Sequence, residues 1–273
     1  MAHYRDLYDL KGRVGVVTGG AGILGSETTT ALADHGARVA VVDIDEANAI
    51  AHASRLETEY GVRALGVACD ITDPASVAEM TARVERELGP IDILHNNAAT
   101  KGRDMEKLFA TVENYELETW REIMAVNLDG MFLVSQAVGS LMAERGHGSI
   151  VHTASIYGAT MGPDQRIYEG SEYMGRPINT PPVYSASKGG VVGLTLYLAT
   201  YWASRGVRVN ALTPGGIRSG QNDEFARRYS ARVPLGRQAE ANEVAAGFLF
   251  LASDASSYVT GQNLHVDGGL SAW

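Results

Sequence analysis

The sequence predicts an α/β chain, with one doubly wound parallel sheet covered by helices on both faces and built as a single domain. Three observations carry this. Short runs rich in β-branched residues, beginning with Val14-Gly15-Val16-Val17, alternate with longer segments of helical character from end to end. Small and polar residues, among them Asp43, Asp70, Asn96 and Ser155, stand where those runs stop, at the sheet edge where open α/β folds bind ligands. No repeat, low-complexity tract or linker interrupts the 273 residues, so 1–273 reads as one unit.

The first apolar run feeds directly into Thr18-Gly19-Gly20-Ala21-Gly22-Ile23-Leu24-Gly25, followed by a helix over about 24–35. Glycines there permit a tight turn and close backbone approach, and the free amides of the helix start favour a phosphate, so the stretch reads as a pyrophosphate cradle. The next run, 38–42, ends at Asp43, 18 residues beyond Gly25. A carboxylate at the tip of the second strand accepts hydrogen bonds from an adenosine ribose and repels a 2'-phosphate. Neither Gly20 nor Ile44 offers a compensating cation, which favours NAD over NADP. Asp43 and Asp45 are also both suited to cap the helix that starts near Glu46.

Alternation continues with a helix over 46–60, a strand over 63–69, a helix over 74–88 and a strand over 91–95. Asp70 and Asn96-Asn97-Ala98-Ala99 follow the third and fourth strands. A long helix is expected over 116–145, with Asn127 and Gly130 in its middle; both are poor helix formers, and the pair suggests a kink that holds a water beside the site. The fifth strand, 148–154, ends at Ser155. Residues 156–183 hold four glycines, four prolines and three tyrosines, together with Arg166 and Arg176, and read as a long ordered loop. A helix over 183–205, a strand over 208–212 ending in Thr213-Pro214-Gly215-Gly216-Ile217, helices over 223–232 and 242–252 and a strand over 263–266 complete the chain.

With 23 basic and 32 acidic residues, a net charge of -9 and no lysine/arginine run, the composition argues against nucleic acid and anionic membranes as partners. The single cysteine, Cys69, has no partner for a disulfide or a thiolate metal site, and no metal is expected. No apolar run approaches a membrane span, nor does the N-terminus resemble a signal peptide, so the expectation is a cytoplasmic protein acting on a small molecule.

Tyr184-Ser185-Ala186-Ser187-Lys188 carries the clearest chemistry. On a helix, residues four apart share one face. A phenol has an ordinary pKa of about 10. An ammonium one turn away favours the phenolate, so the pair is equipped to move a proton at a substrate oxygen. His95 reads as packed, whereas His35, His52 and His147 are placed where helices or loops meet solvent. Met131, Met142, Phe248, Phe250 and Leu251 read as core or subunit interface.

The glycine turn, Asp43, Asn127, Ser155, Tyr184 and Lys188 together resemble the short-chain dehydrogenase/reductase family over essentially the whole chain, which implies a Rossmann fold. The resemblance implies that Tyr184 is the proton donor or acceptor, that Lys188 lowers its pKa and holds the nicotinamide ribose, that Ser155 binds the substrate oxygen and that Asn127 sits on a water relay. It places Gly19, Gly22, Ile23, Leu24, Gly25, Asp43, Asp70, Ile71, Asn97, Ala98, Pro214 and Gly215 around the dinucleotide, and Ile217 with Ser219 at its carboxamide. The glycine spacing, TGxxGxxG, is that of extended relatives, but only 85 residues follow Lys188, which matches the short form. Ser155 and Tyr184 are 29 residues apart, wider than is usual for the family, so 156–183 is an insertion expected to fold over substrate. Its Tyr-Glu-Gly at 168–170, with Pro-Leu-Gly-Arg at 234–237, is similar to a flagellin-modification branch that makes unusual sugars. The Leu264-His265-Val266-Asp267-Gly268-Gly269 end resembles a tetramer-forming segment, implying a homotetramer.

The expected function is therefore NAD-dependent interconversion of a secondary alcohol and a ketone on a polyhydroxylated sugar or derivative, including phosphorylated or nucleotide-linked ones. Ser155 and Tyr157, with Arg166, Arg176 and Arg218 as anion anchors, are the candidate substrate contacts. Two alternatives stand beside it: a 3-oxoacyl-type ketoreductase, and a dinucleotide-sensing binding protein without catalysis.

Overall fold

The computed structural model describes residues 3–173 and 175–273. The strands are β1 (Val14–Thr18), β2 (Arg38–Asp43), β3 (Ala64–Ala68), β4 (Ile93–Asn96), β5 (Gly148–Thr153), the short β6 (Glu172–Tyr173) and β7 (Arg176–Pro177), β8 (Val207–Pro214) and β9 (Asn263–Val266). Between them run the helices α1 (Ile23–Asp34), α2 (Glu46–Tyr60), α3 (Pro74–Glu87), α4 (Met105–Leu108), α5 (Leu117–Met124), α6 (Met131–Arg145), α7 (Ile156–Ala159), α8 (Pro182–Trp202), α9 (Asp223–Ser230) and α10 (Ala241–Ala252). Seven strands form one parallel sheet in the order β3-β2-β1-β4-β5-β8-β9. The chain builds outward from β1 on one side and then on the other, so a crevice opens above the carboxyl ends of β1 and β4.

Both faces of the sheet are buried. Val14, Val16, Val42, Leu94 and Ile150 pack against Val77 and Met80 of α3, Val138 and Met142 of α6, and Leu198 and Trp202 of α8. Val17, Val39, Val41, Ile93 and Leu212 face the other way, onto Leu32 of α1, Leu56 of α2 and Phe248 and Leu251 of α10. This double burial explains why the strands read as unbroken apolar runs. A third cluster, set apart from the sheet, joins Ile156, Tyr157 and Ile167 to Phe225, Tyr229, Val233 and Leu270.

Three local readings change. Residues 117–145 are not one uniform α-helix: α5 passes through a π-helical stretch, Ala125–Gly130, into α6, so the irregularity suggested by Asn127 and Gly130 takes the form of a widened turn. Gly130 is there for packing, because a Cβ would lie 2.8 Å from the Ile71 side chain. By length and composition this run could cross a membrane, but Val134, Val138 and Met142 on it belong to the core beneath the sheet. The insertion is not plain loop; it contains α7, a 3-10 turn (Gln165–Tyr168) and the antiparallel β6–β7 hairpin pairing Glu172 with Pro177. His52 is not at solvent but buried, its Nε2 2.6 Å from the Thr29 hydroxyl.

Candidate active site

The dinucleotide groove begins where β1 turns into α1. Gly19 has φ +63°, and a Cβ there would lie 2.9 Å from the Cα of Ala98. At Gly25 a Cβ would run into the Gly19 carbonyl. The turn therefore admits only glycine at both positions. Gly22 is the N-cap of α1 and supplies no side-chain cap, so the first-turn amides stay open toward the groove. A cavity of about 700 Å³ follows, lined by Gly19, Gly22, Ile23, Leu24, Asp43, Asp70, Ile71, Asn97 and Ala98. The structure thus brings these predicted cofactor residues together, with Gly25 beneath them.

Asp43 is fixed at the end of β2: its Oδ2 accepts from the Ala21 amide at 3.1 Å and its Oδ1 from the Asp45 amide at 3.2 Å. Capping of α2 falls to Asp45, whose side chain accepts from the Asn48 amide, which leaves Asp43 to face the groove. Asp70 accepts from both the amide and the hydroxyl of Thr72, at 2.9 and 2.7 Å, and these bonds hold its carboxyl below the usual range. Arg103, which the sequence reading did not consider, also lines the groove and lies 3.7 Å from Glu122.

Asn97 ties three strand ends together. Its amide and Nδ2 donate to Thr18 Oγ1 and the Thr18 carbonyl at 3.0 and 3.2 Å, and its Oδ1 accepts from Thr153 Oγ1 at 3.2 Å. Behind it lie two buried histidines on opposite faces of the sheet. His95 Nδ1 is 3.0 Å from Thr28 Oγ1, and its Nε2 is 2.9 Å from Thr153 Oγ1. His152 bridges Ser135 and Thr195, both at 2.9 Å. Burial, aided by the nearby Lys188 charge, lowers both imidazoles to about 3 and keeps them neutral.

A second cavity of about 500 Å³ adjoins the groove and holds Ser155, Tyr157, Tyr184 and Lys188, and it is this cavity, not the groove, that Pro214, Gly215 and Ile217 line. Ser155 caps α7 by accepting from the Tyr157 amide at 3.3 Å. Lys188, 3% exposed, donates to the Thr153 carbonyl at 2.7 Å, and burial lowers its ammonium to about 8. Burial raises the Tyr184 phenol, while a hydrogen bond with Ser155 pulls the other way. In the chain alone, then, burial governs the Tyr184 phenol, and the hydrogen bond with Ser155 is what opposes it. Asn127 sits fully buried in the π-helical stretch, where its Oδ1 accepts from the Thr100 amide at 2.8 Å and its Nδ2 has no partner among the described residues.

Other predicted contacts fall elsewhere. Arg166 is bound to Asp164 at 2.8 and 2.9 Å and is 83% exposed; Arg218 lies 3.2 Å from Glu240; neither lines the cavity. Arg166 has found a carboxylate on its own turn, and Arg218 one at the N-cap of α10. The Arg176 side chain lies outside the described residues. Ser219 is exposed and is engaged by Gln221, which donates to its hydroxyl at 2.8 Å. In place of arginines, the cavity wall is made by Tyr168, Phe225, Tyr229, Asn179 and Gln238. These residues are scattered over 168–238 with no common spacing, so no sequence period could have gathered them.

A family model described as enoyl-(acyl carrier protein) reductase matches residues 19–271. The chain is 37% identical over 270 residues to D-threitol dehydrogenase of Mycolicibacterium smegmatis, covering 96% of this chain and 94% of that one. It is 37% identical over 276 residues to galactitol 2-dehydrogenase (L-tagatose-forming) of Cereibacter sphaeroides, covering 99% of each. Among solved structures, a gluconate 5-dehydrogenase from Burkholderia cenocepacia in complex with NADP and tartrate superposes with a TM-score of 0.85 at 33% identity, over 99% of this chain and all of that one. An NAD+-bound xylitol dehydrogenase superposes with a TM-score of 0.83 at 30% identity, over 95% and 99%. With a matching family model over nearly its whole length, relatives of this identity and the same seven-stranded sheet, the chain belongs to the short-chain dehydrogenase/reductase family.

Proposed function

We propose that this protein is an NAD-dependent dehydrogenase that interconverts a secondary alcohol of a polyhydroxylated carbon chain and the corresponding ketone. The observation that carries it is the meeting of Ser155, Tyr184 and Lys188 in one cavity that opens onto the glycine-lined groove. That groove fits a dinucleotide: Gly19 and Gly25 let the turn close against Ala98 and on itself, and α1 offers uncapped amides beside it. Gly19, Gly22, Ile23 and Leu24 would hold the pyrophosphate, Asp43 the adenosine ribose, Asp70, Ile71 and Ala98 the adenine end, and Asn97, Pro214, Gly215 and Ile217 the nicotinamide end. When bound, the nicotinamide supplies the hydride acceptor or donor.

In the oxidation direction Tyr184, as phenolate, takes the hydroxyl proton of the substrate while Ser155 holds the same oxygen by donating to it. Lys188, clamped on Thr153, sets a positive charge one helical turn from the phenol and favours its ionised form. Asn127, buried and anchored on the Thr100 amide, keeps an Nδ2 without a partner among the described residues, the donor we assign to the water relay. Positioning and charge stabilisation by these fixed groups lower the barrier.

The carboxylate of Asp43 supports NAD over NADP, because a 2'-phosphate would meet a negative charge held by two backbone amides. The polyol dehydrogenases among the relatives support the substrate class, and the stretches resembling the flagellin-modification branch are compatible with the same kind of carbon chain. A relative of equal identity, the 3-oxoacyl-[acyl-carrier-protein] reductase of Thermotoga maritima, keeps a ketoreductase as the second reading. A sensor without catalysis is disfavoured by the complete Ser155, Tyr184 and Lys188 set. We also read the protein as cytoplasmic and homotetrameric; exposed Leu196, Tyr197 and Tyr201 on α8 and Leu235, Tyr258 and Trp273 supply apolar surface for such contacts.

The test is cofactor-coupled absorbance with NAD and NADP against four- to six-carbon polyols, with an acyl ketone in the reverse direction. Turnover of a polyol with NAD, lost by roughly 10²- to 10⁴-fold in Tyr184→Phe while NAD still binds, is the expected result. Turnover of acyl ketones alone would move the assignment to the ketoreductase.

A further inference from the structure

Side-chain polar atoms are rarely buried without a hydrogen-bond partner, and each one calls for an explanation. Among the described residues, Tyr157 Oη, Asn179 Oδ1 and Gln238 Nε2 are in this state, and all three residues line the substrate cavity. Their neighbours are not. Gln221, on the same wall, donates to the Ile217 carbonyl and the Ser219 hydroxyl, both at 2.8 Å. Tyr168 and Thr180 share a hydrogen bond of 2.6 Å. The orientation of Asn179 is fixed, since its Nδ2 donates to the Phe109 carbonyl at 2.8 Å and only Oδ1 is left over.

The three groups differ in capacity. Gln238 Nε2 donates, Asn179 Oδ1 accepts, and the Tyr157 hydroxyl does either; burial pushes its phenol up and keeps it neutral. A hydroxyl is the ligand group that can both accept and donate. None of the three is charged, and no arginine among the described residues lines the cavity, although exposed Lys101 and buried Lys188 do. Beside them Tyr168, Phe225 and Tyr229 form an aromatic wall, with ring centroids 5.4 and 5.8 Å apart, suited to the C–H edges of a carbon chain.

We infer that Tyr157, Asn179 and Gln238 form the recognition set for the distal hydroxyls of an uncharged polyol whose reacting carbon lies at Ser155 and Tyr184. This rests on the polyol reading of the site and names the residues that select within that class. Phosphorylated and nucleotide-linked sugars, expected when Arg166 and Arg218 were candidate anchors, are not favoured.

The experiment compares the wild-type enzyme with Tyr157→Phe and Gln238→Met, measuring kcat/KM with NAD for a four- to six-carbon polyol, a vicinal diol of equal length and the phosphorylated polyol. Asn179 is left intact because its Nδ2 also holds Phe109. Each variant is expected to lower the polyol-to-diol ratio of kcat/KM by about 3- to 30-fold, the loss of a neutral hydrogen bond or two. Tyr157→Phe is further expected to keep or raise the thermal midpoint of the apoenzyme, since the hydroxyl it removes has no protein partner. Equal losses on polyol and diol, or a wild-type preference for the phosphorylated polyol, would overturn the assignment. So would a lowered midpoint in Tyr157→Phe, which would show that the hydroxyl serves the fold, for instance toward the unpartnered Nη1 of Arg232. A wild-type enzyme that oxidises no polyol at all would instead overturn the functional reading beneath it, and is recognised before any variant is made.

Discussion

Lys188 donates its Nζ to the carbonyl oxygen of Thr153 across 2.7 Å, which clamps a charge on α8 to the last residue of β5. The same threonine uses its hydroxyl to meet His95 and Asn97. One residue at a strand end therefore positions both the ammonium beside Tyr184 and the asparagine beside the glycine turn.

Keeping that ammonium buried works against stability. Its pKa falls from 10.5 to about 8 on folding, so between those values the unfolded chain binds the extra proton and stability rises with pH. At neutral pH the burden is on the order of 3 kcal/mol. Lys188→Met is expected to raise the thermal midpoint at pH 7 while reducing turnover by about 100-fold or more. An unchanged or lowered midpoint would show that the clamp on Thr153 offsets the desolvation.

His95 and His152 carry the opposite end of the pH scale. Both have pKa values lowered from 6.5 to about 3, so between those limits the unfolded state binds more protons and stability falls as the solution is acidified. Each histidine contributes a slope of about 1.4 kcal/mol per pH unit within that window. Denaturant titrations at pH 4, 5 and 6 should therefore show a steep acid limb, and a flat profile across that range would mean that the imidazoles are charged in the folded protein.

Asp43 is expected to control the choice of dinucleotide. Replacing it by Ala removes the charge that opposes a 2'-phosphate, and the ratio of kcat/KM with NADP to that with NAD should rise by about 10-fold or more. The measurement is direct, and a ratio that stays put would shift attention to Arg103, the cation in the same groove.

Gly130→Ala should destabilise by about 1–3 kcal/mol, because the new methyl would meet Ile71 at 2.8 Å. In Gly130→Ala/Ile71→Ala, which removes both side-chain atoms at 2.8 Å, the loss should be smaller than the sum of the two single losses. Chemical denaturation of the single and double variants reads this coupling, and an additive result would place the strain elsewhere.

Much of this was legible in the sequence because it depends on short-range pattern. The apolar run ending in Thr18 announces β1, the glycines after it announce the turn, and Tyr184 and Lys188 declare their common face by a spacing of one helical turn. Asp43 is visible as an acidic residue at a strand end. What was not legible depends on distant neighbours. The charges on Arg166 and Arg218 look like anchors until Asp164 and Glu240 are found beside them. Gly130 looks like a helix breaker until Ile71 is placed against it. Gln238 and Asn179 have no motif at all, and their significance appears only as unpartnered atoms in a shared cavity.

Ile156, Tyr157, Phe225 and Tyr229 pack with one another in a cluster distinct from the two that clothe the sheet. Substitutions on that side redraw the shape offered to the carbon chain without loosening the strands that carry Asp43, Asn97 and Thr153. Selection can thus try new substrates against a fixed hydride-transfer frame, and drift in one half is insulated from failure in the other.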